Sequence, residues 1–138
     1  MARFAVSEHR FKSGDGTALF YRAWRPSAPG GKLLVLFHRG HEHSGRWDDV
    51  IEALTPEGFT VFAWDARGNG RSEGPRDDAE NFGCYARDAE LFVRHLSATE
   101  NVPMDQIAVV GHSVGAAVVA AWIHDYAPRV RAAVLATP

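Results

Sequence analysis

Three times in this chain a short apolar run gives way to a polar, glycine-bearing loop and then to residues at helical spacing. The runs are residues 33–37, 59–64 and 107–110. A continuous apolar run bounded by turns suits a strand buried on both faces, as in a parallel sheet. The helical patterns that follow are Trp47, Val50, Ile51 and Leu54, then Phe82, Tyr85, Ala86, Ala89, Phe92, Val93 and Leu96, then Val114, Ala117, Val118, Ala121 and Trp122. Residues 130–135 read as a further strand. Strands alternating with helices predict a parallel sheet with right-handed crossovers and helices on both faces. Ahead of this series, residues 4–11 and 17–24 alternate around Ser13-Gly14-Asp15-Gly16. Asp-Gly signals a hairpin, so an antiparallel pair is expected there. The fold class is α/β: a mostly parallel sheet, helices on both faces and an N-terminal antiparallel hairpin.

Ligands of such sheets gather at the carboxyl ends of the strands. Three polar loops fall at those ends: 38–46, 65–74 and 111–115. The last reads Gly111-His112-Ser113-Val114-Gly115, a strand-to-helix turn of the nucleophile-elbow type. A serine at the tip of such a turn projects its hydroxyl outward, with the helix N-terminus directly behind it. Gly111 and Gly115 let the strand and helix backbones pass closely, with no Cβ between them. The free N–H groups and positive end of the helix then face an oxyanion forming beside the serine. Taken alone, the motif also fits a tight-turn serine that caps the following helix.

Three motifs together carry a family resemblance. The 111–115 turn resembles a nucleophile elbow. His38-Arg39-Gly40-His41-Glu42-His43-Ser44-Gly45-Arg46-Trp47 is similar to the monoglyceride lipase oxyanion loop, His-Gly-x-Gly-Glu-His-Ser-Gly-Arg-Tyr. Asp65-Ala66-Arg67-Gly68-Asn69-Gly70-Arg71-Ser72 resembles Asp-x-Arg-Gly-His-Gly-x-Ser. From about Arg10 onward the chain resembles an α/β-hydrolase of the monoglyceride lipase, lysophospholipase and serine aminopeptidase branch. Arg39 and Asn69 depart from it, standing where the family has glycine and histidine. The His-Arg-Gly-His-Glu-His form is also similar to bacterial proteins that join such a hydrolase to a methyltransferase.

The resemblance implies a role for each matching residue. Ser113 would be the nucleophile, and the N–H groups of Gly40 and Val114 the oxyanion hole. Gly111 and Gly115 would be the elbow glycines, with His38, Glu42 and His43 supporting the oxyanion loop by hydrogen bonds. The implied activity is hydrolysis of carboxylic esters, lipid-like or small acyl, through an acyl-enzyme. A serine aminopeptidase-type peptidase or an acyltransferase would use the same elbow. From another class, a catalytically silent module that binds acyl ligands or a partner fits as well.

In this family the triad acid and histidine follow the serine, beyond later strands. Here one helical pattern and one strand pattern follow Ser113. The resemblance therefore implies that residues 1–138 are the N-terminal part of a single α/β-hydrolase domain. The lid, the last strands and the rest of the triad would lie outside it. His124 and Asp125 share the helix after Ser113, roughly 16 Å along its axis, so they do not reach the serine. His112 adjoins it, but neighbouring side chains on a sharp turn point apart. His38, His41 and His43 lie on the adjacent rim, in a loop to which the resemblance assigns backbone donors.

The remaining features exclude more than they assign. His38, His41, Glu42 and His43 are metal-ligand types, but their spacing fits no helical His-x-x-x-His site, so no metal is expected. Gly68-Asn69-Gly70-Arg71-Ser72 lacks the Gly-Lys-Ser/Thr of a phosphate loop, and no organic cofactor is implied. Asp65 and Arg67 read as an ion pair or as loop hydrogen bonds. Cys84 reads as a small, partly buried helix residue, and Phe82, Phe92 and Trp122 as core. The 15 Lys+Arg against 17 Asp+Glu give no reason to expect nucleic acid as a partner. A single cysteine, a polar N-terminus and the lack of a long apolar run suggest a cytoplasmic protein without a transmembrane segment. The expected partner is a small acyl ester. A sheet ending at residues 130–135 leaves an apolar edge unpaired, which favours self-association.

Overall fold

The computed structural model describes residues 4–40, 42–54, 58–75 and 82–136, so His41 lies outside it. Strands β1 (Phe4–Lys12) and β2 (Ala18–Pro26) form the hairpin, with Phe4 opposite Pro26 and Lys12 opposite Ala18. Then come β3 (Lys32–Phe37), a 3-10 turn at Ser44–Trp47, α1 (Asp48–Leu54), β4 (Phe59–Trp64) and α2 (Phe82–Glu100). A second 3-10 turn leads into β5 (Ile107–His112), α3 (Val114–Tyr126) and β6 (Ala132–Ala136). The six strands lie in the order β1-β2-β4-β3-β5-β6. β4, β3, β5 and β6 are mutually parallel, and β2 joins them antiparallel through β4.

The apolar runs are continuous because both sheet faces are covered, and the two-residue period sorts the side chains between them. Leu33, Val35, Phe37, Ile107 and Val109 face α2 and α3, packing with Phe92, Val93, Val118 and Trp122. Leu36, Val61, Ala63 and Trp24 face the other way, toward Ile51 of α1. Phe92 and Trp122 are fully buried, and the Trp122 indole N–H donates to Glu90 at 2.8 Å. Phe82 departs from expectation: at the first residue of α2 it is 45% exposed, ahead of the turns that dock on the sheet. α2 also runs one turn past Leu96, the last apolar position in its pattern. That turn faces outward, and its Glu100 pairs with Arg25 of β2 at 2.6 Å.

β6 begins at Ala132 and is exposed along its whole length, including Val134 and Leu135. It is held by β5 on one side, and α3 approaches it without burying any of its residues.

Arg67, just past β4, ties three parts of the fold together. Its Nε and Nη2 donate to the Asp88 carboxylate of α2 at 2.9 and 3.0 Å, and Asp88 is wholly buried. Nη1 reaches Asp15 and Thr17 of the hairpin turn at 2.8 and 2.9 Å. Asp88 also accepts from the Ser13 hydroxyl. Of the ion pair or loop hydrogen bonds read at Asp65 and Arg67, each residue takes one: Arg67 pairs with Asp88 and Asp15, while Asp65 accepts from loop amides.

From β3 the chain steps to one side to form β4, then crosses back to form β5 on the other. The loops after β3 and β5 therefore leave adjacent strand ends in opposite directions. That opens a crevice at the switch point.

Candidate functional site

Ser113 is the single residue between β5 and α3. Its backbone sits at φ 56°, ψ −115°, a conformation that costs an L-residue about 1–3 kcal/mol. Backbone bonds on both sides hold it there. Its N–H donates to the Ala136 carbonyl at 2.7 Å, and its carbonyl accepts from Ala116 and Ala117 at 2.9 and 3.2 Å. Its hydroxyl makes no capping bond to the helix, which removes the capping alternative.

The two glycines are required by crowding. A Cβ on Gly111 would lie 2.5 Å from the Gly115 carbonyl oxygen. A Cβ on Gly115 would lie 2.2 Å from the Phe37 oxygen and 2.6 Å from that of His38. The first turn of α3 thus rests directly on the end of β3. The same approach brings Gly40 beside Val114, with 3.3 Å between an added Gly40 Cβ and Val114 Cγ2. Val114 is the first helical residue, so its N–H has no acceptor one turn back. Among the described residues the Gly40 N–H meets no loop carbonyl.

His38 locks the start of the loop after β3. Its Nε2 accepts from the Ala66 N–H at 2.9 Å, so the proton sits on Nδ1, which donates to the Arg39 carbonyl at 2.7 Å. The ring bridges the ends of β3 and β4 in its neutral form, and burial pushes its pKa below the usual histidine value. The folded state therefore binds this proton less readily than the unfolded chain. The corresponding stability is fully present above about pH 6.5 and is lost as pH falls from there toward the folded pKa. Burial also lowers the pKa of His95, so the wild-type slope holds both contributions. His38→Gln is expected to be less stable at pH 7 yet to lose less on going to pH 5. Urea unfolding at the two pH values checks this, and equal slopes for both proteins would refute it.

The rest of the loop is fixed by carboxylates. Glu42 Oε1 accepts from Arg39 Nε and Nη2 at 2.9 and 2.7 Å, and Oε2 from Arg46 Nε at 2.8 Å. Arg39 and Arg46 hold its carboxyl below the usual range against partial desolvation. His43 precedes the 3-10 turn, where its Nδ1 accepts from the Gly45 N–H at 3.1 Å. Asp65 accepts from the Ser44 N–H at 2.6 Å and the Arg71 N–H at 2.9 Å, joining the loops after β3 and β4. Ser72 donates to the Asp65 carbonyl and accepts from the Phe20 N–H of β2. An aspartate at a strand end followed by a glycine-rich loop was visible in the chain. Its bond to the Ser44 amide was not.

Two clefts lie at the elbow, one reaching Val114 and Gly115 and the other His112. One, of about 170 Å³, is lined by Phe37, Trp64, Tyr85, Val118, Arg39 and Asn69, with Gly40, Val114 and Gly115 at the elbow. The other is an open groove of about 620 Å³ that includes Arg39, Glu42, Arg46, Asp49 and His112. Among the described residues no cluster of histidine, cysteine or carboxylate side chains is placed to hold a metal ion.

A largely parallel sheet with helices on both faces, and a Gly-x-Ser-x-Gly turn at its switch point, is the architecture of an α/β hydrolase. The family described as serine aminopeptidase, S33, matches residues 29–138. An uncharacterized protein of Escherichia coli K12, YnbC, is 48% identical over 132 residues, covering 95% of this chain and 23% of YnbC. A monoacylglycerol lipase of Mycolicibacterium smegmatis is 33% identical, covering 96% of this chain and 46% of its own length. Among solved structures, an α/β hydrolase from Penicillium sp. sh18 matches with a TM-score of 0.79 at 27% identity, over 94% of this chain and 44% of its own. The chain belongs to the α/β-hydrolase superfamily, in its serine aminopeptidase S33 branch. It spans less than half the length of these relatives.

Proposed function

We propose that this chain supplies the nucleophile and oxyanion hole of a serine hydrolase that cleaves carboxylic esters, lipid-like or small acyl. The observation that carries the reading is Ser113 itself. It is held at φ 56° at the switch point, with its hydroxyl free of the helix and Gly40 and Val114 alongside. The 33% identity to a monoacylglycerol lipase supports an ester rather than a peptide. Ser113 Oγ attacks the ester carbonyl, and the oxygen that becomes negative takes the N–H groups of Gly40 and Val114. The alcohol leaves, and water then releases the acid from the acyl-enzyme.

The base comes from outside these residues in this reading. Both ring nitrogens of His38 are engaged. His43 accepts a backbone N–H at Nδ1. His124 is exposed on α3 and pairs with Asp125. By the resemblance to α/β-hydrolases, the triad histidine and acid are assigned to a further part of the same hydrolase domain.

A fluorophosphonate is expected to add one label per chain at Ser113, read by intact mass. Added imidazole should speed the labelling by standing in for the missing base, and Ser113→Ala should take no label. A folded chain that stays unlabelled with imidazole present would sink this proposal and leave the silent-module reading.

Cys84 is buried and unpaired, and no helix among the described residues is long and apolar enough to cross a membrane. We place the chain in the cytoplasm. The exposed β6 edge is expected to pair with a second copy. Sedimentation should show a dimer that Val134→Lys shifts to monomer, because a charge on that strand opposes edge pairing.

A further inference from the structure

Two residues line both clefts beside Ser113: His38 and Arg39. His38 is locked by its two hydrogen bonds. Arg39 is not. Its side chain is 55% exposed and holds Glu42 through Nε and Nη2, leaving Nη1 without a partner among the described residues. Glu42 does not depend on Arg39 alone, since its second oxygen is held by Arg46. The Arg39 guanidinium can turn to a new acceptor and leave Glu42 paired.

The clefts differ in charge. In the open groove Arg39 and Arg46 stand among Glu42, Asp48 and Asp49, so an anion there meets three carboxylates. In the smaller cleft Arg39 is the single charged residue among the described lining residues, because buried His38 is neutral. Phe37, Trp64 and Val118 supply apolar walls. A charge-assisted hydrogen bond against such walls is stronger than one in open water.

We propose that Arg39 is a specificity-determining residue that selects esters whose cleft-bound part ends in a carboxylate, such as half-esters of short dicarboxylic acids. The proposal rests on the ester-hydrolase reading of Ser113. Charge balance favours a carboxylate over a phosphate. One guanidinium matches one carboxylate and takes both of its oxygens. A phosphate dianion would leave uncompensated charge against apolar walls.

The test is a titration of the chain with monomethyl glutarate and with dimethyl glutarate, its uncharged counterpart. The amide resonances of Gly40, Val114 and Val118 report binding. At low salt the half-ester is expected to bind about tenfold more tightly. The preference should vanish in Arg39→Gln and in Arg39→Gly, which restores the residue of similar loops. Equal affinities in the wild type, or a preference that survives both substitutions, would overturn the proposal. A second readout compares Ser113 labelling by fluorophosphonates with carboxyalkyl and plain alkyl tails, in the presence of imidazole. Faster labelling by the carboxyalkyl tail, lost in Arg39→Gln, supports the role. If neither tail labels, the ester-hydrolase reading fails, and the titration still decides what Arg39 binds.

Discussion

Gly115→Ala is expected to lower the unfolding free energy by about 3 kcal/mol, a large share of the stability of an ordinary domain. Helix propensity argues the other way, since alanine in a helix is worth up to about 1 kcal/mol over glycine. Packing decides the sign. The new Cβ would sit 2.2 Å from the Phe37 oxygen and 2.6 Å from the His38 oxygen, and both are backbone atoms. They lie at the last residue of β3 and the one after it, and β3 is bonded to β4 on one side and β5 on the other. β3 cannot yield without breaking the middle of the sheet, so α3 must move away. That motion uncovers Val118, Val119 and Trp122, all now buried. Urea unfolding of the variant measures the effect. A variant as stable as the wild type would mean that the helix does not lie this close to the strand.

Arg67→Ala is the second substitution with a large expected effect, about 3–5 kcal/mol. Asp88 is wholly buried, and Arg67 supplies its two guanidinium hydrogen bonds. Without them the carboxylate keeps the Ser13 hydroxyl and loses its counter-charge. The loss reflects a stranded charge more than the worth of the pair, so removing both charges should cost less than removing one. Arg67→Met with Asp88→Leu is therefore expected to recover most of the stability lost in Arg67→Ala. Urea unfolding of both proteins checks the order. A double variant no more stable than Arg67→Ala would show that the guanidinium acts mainly by tethering Asp15 and Thr17.

The contrast between these two sites marks what a reading of the chain could reach. Gly115 was legible because its role is local: a Gly-x-Ser-x-Gly turn between an apolar run and a helical pattern dictates its own backbone. Residues 59–64 were legible for the same reason, since burial on both faces leaves no polar alternation. The partners of Arg67 were hidden, because Asp88 lies on α2 and looks like any polar residue of an amphipathic helix. The strand order was hidden too. Periodicity marks β2 and β4 as strands but carries nothing about β2 pairing antiparallel with β4. Phe82 misled because a helical repeat does not show where the helix meets the sheet. Around the candidate site, the loops and their shared rim followed from the alternation of apolar runs and helical patterns alone. The hold of Asp65 on Ser44 and the shared grip on Glu42 depend on side chains meeting across loops, which spacing does not encode.

The backbone N–H of Ser113 is bonded to Ala136, at the end of a strand exposed on both faces. The reacting residue we assign is thus moored to the last described strand as well as to the centre of the sheet. A marginal strand has neighbours on one side only, so its thermal excursions are the least restrained. Through this single bond they reach the most strained residue of the turn. Whatever lies alongside β6 therefore acts as a splint for the serine, steadying the position of its oxygen without touching it.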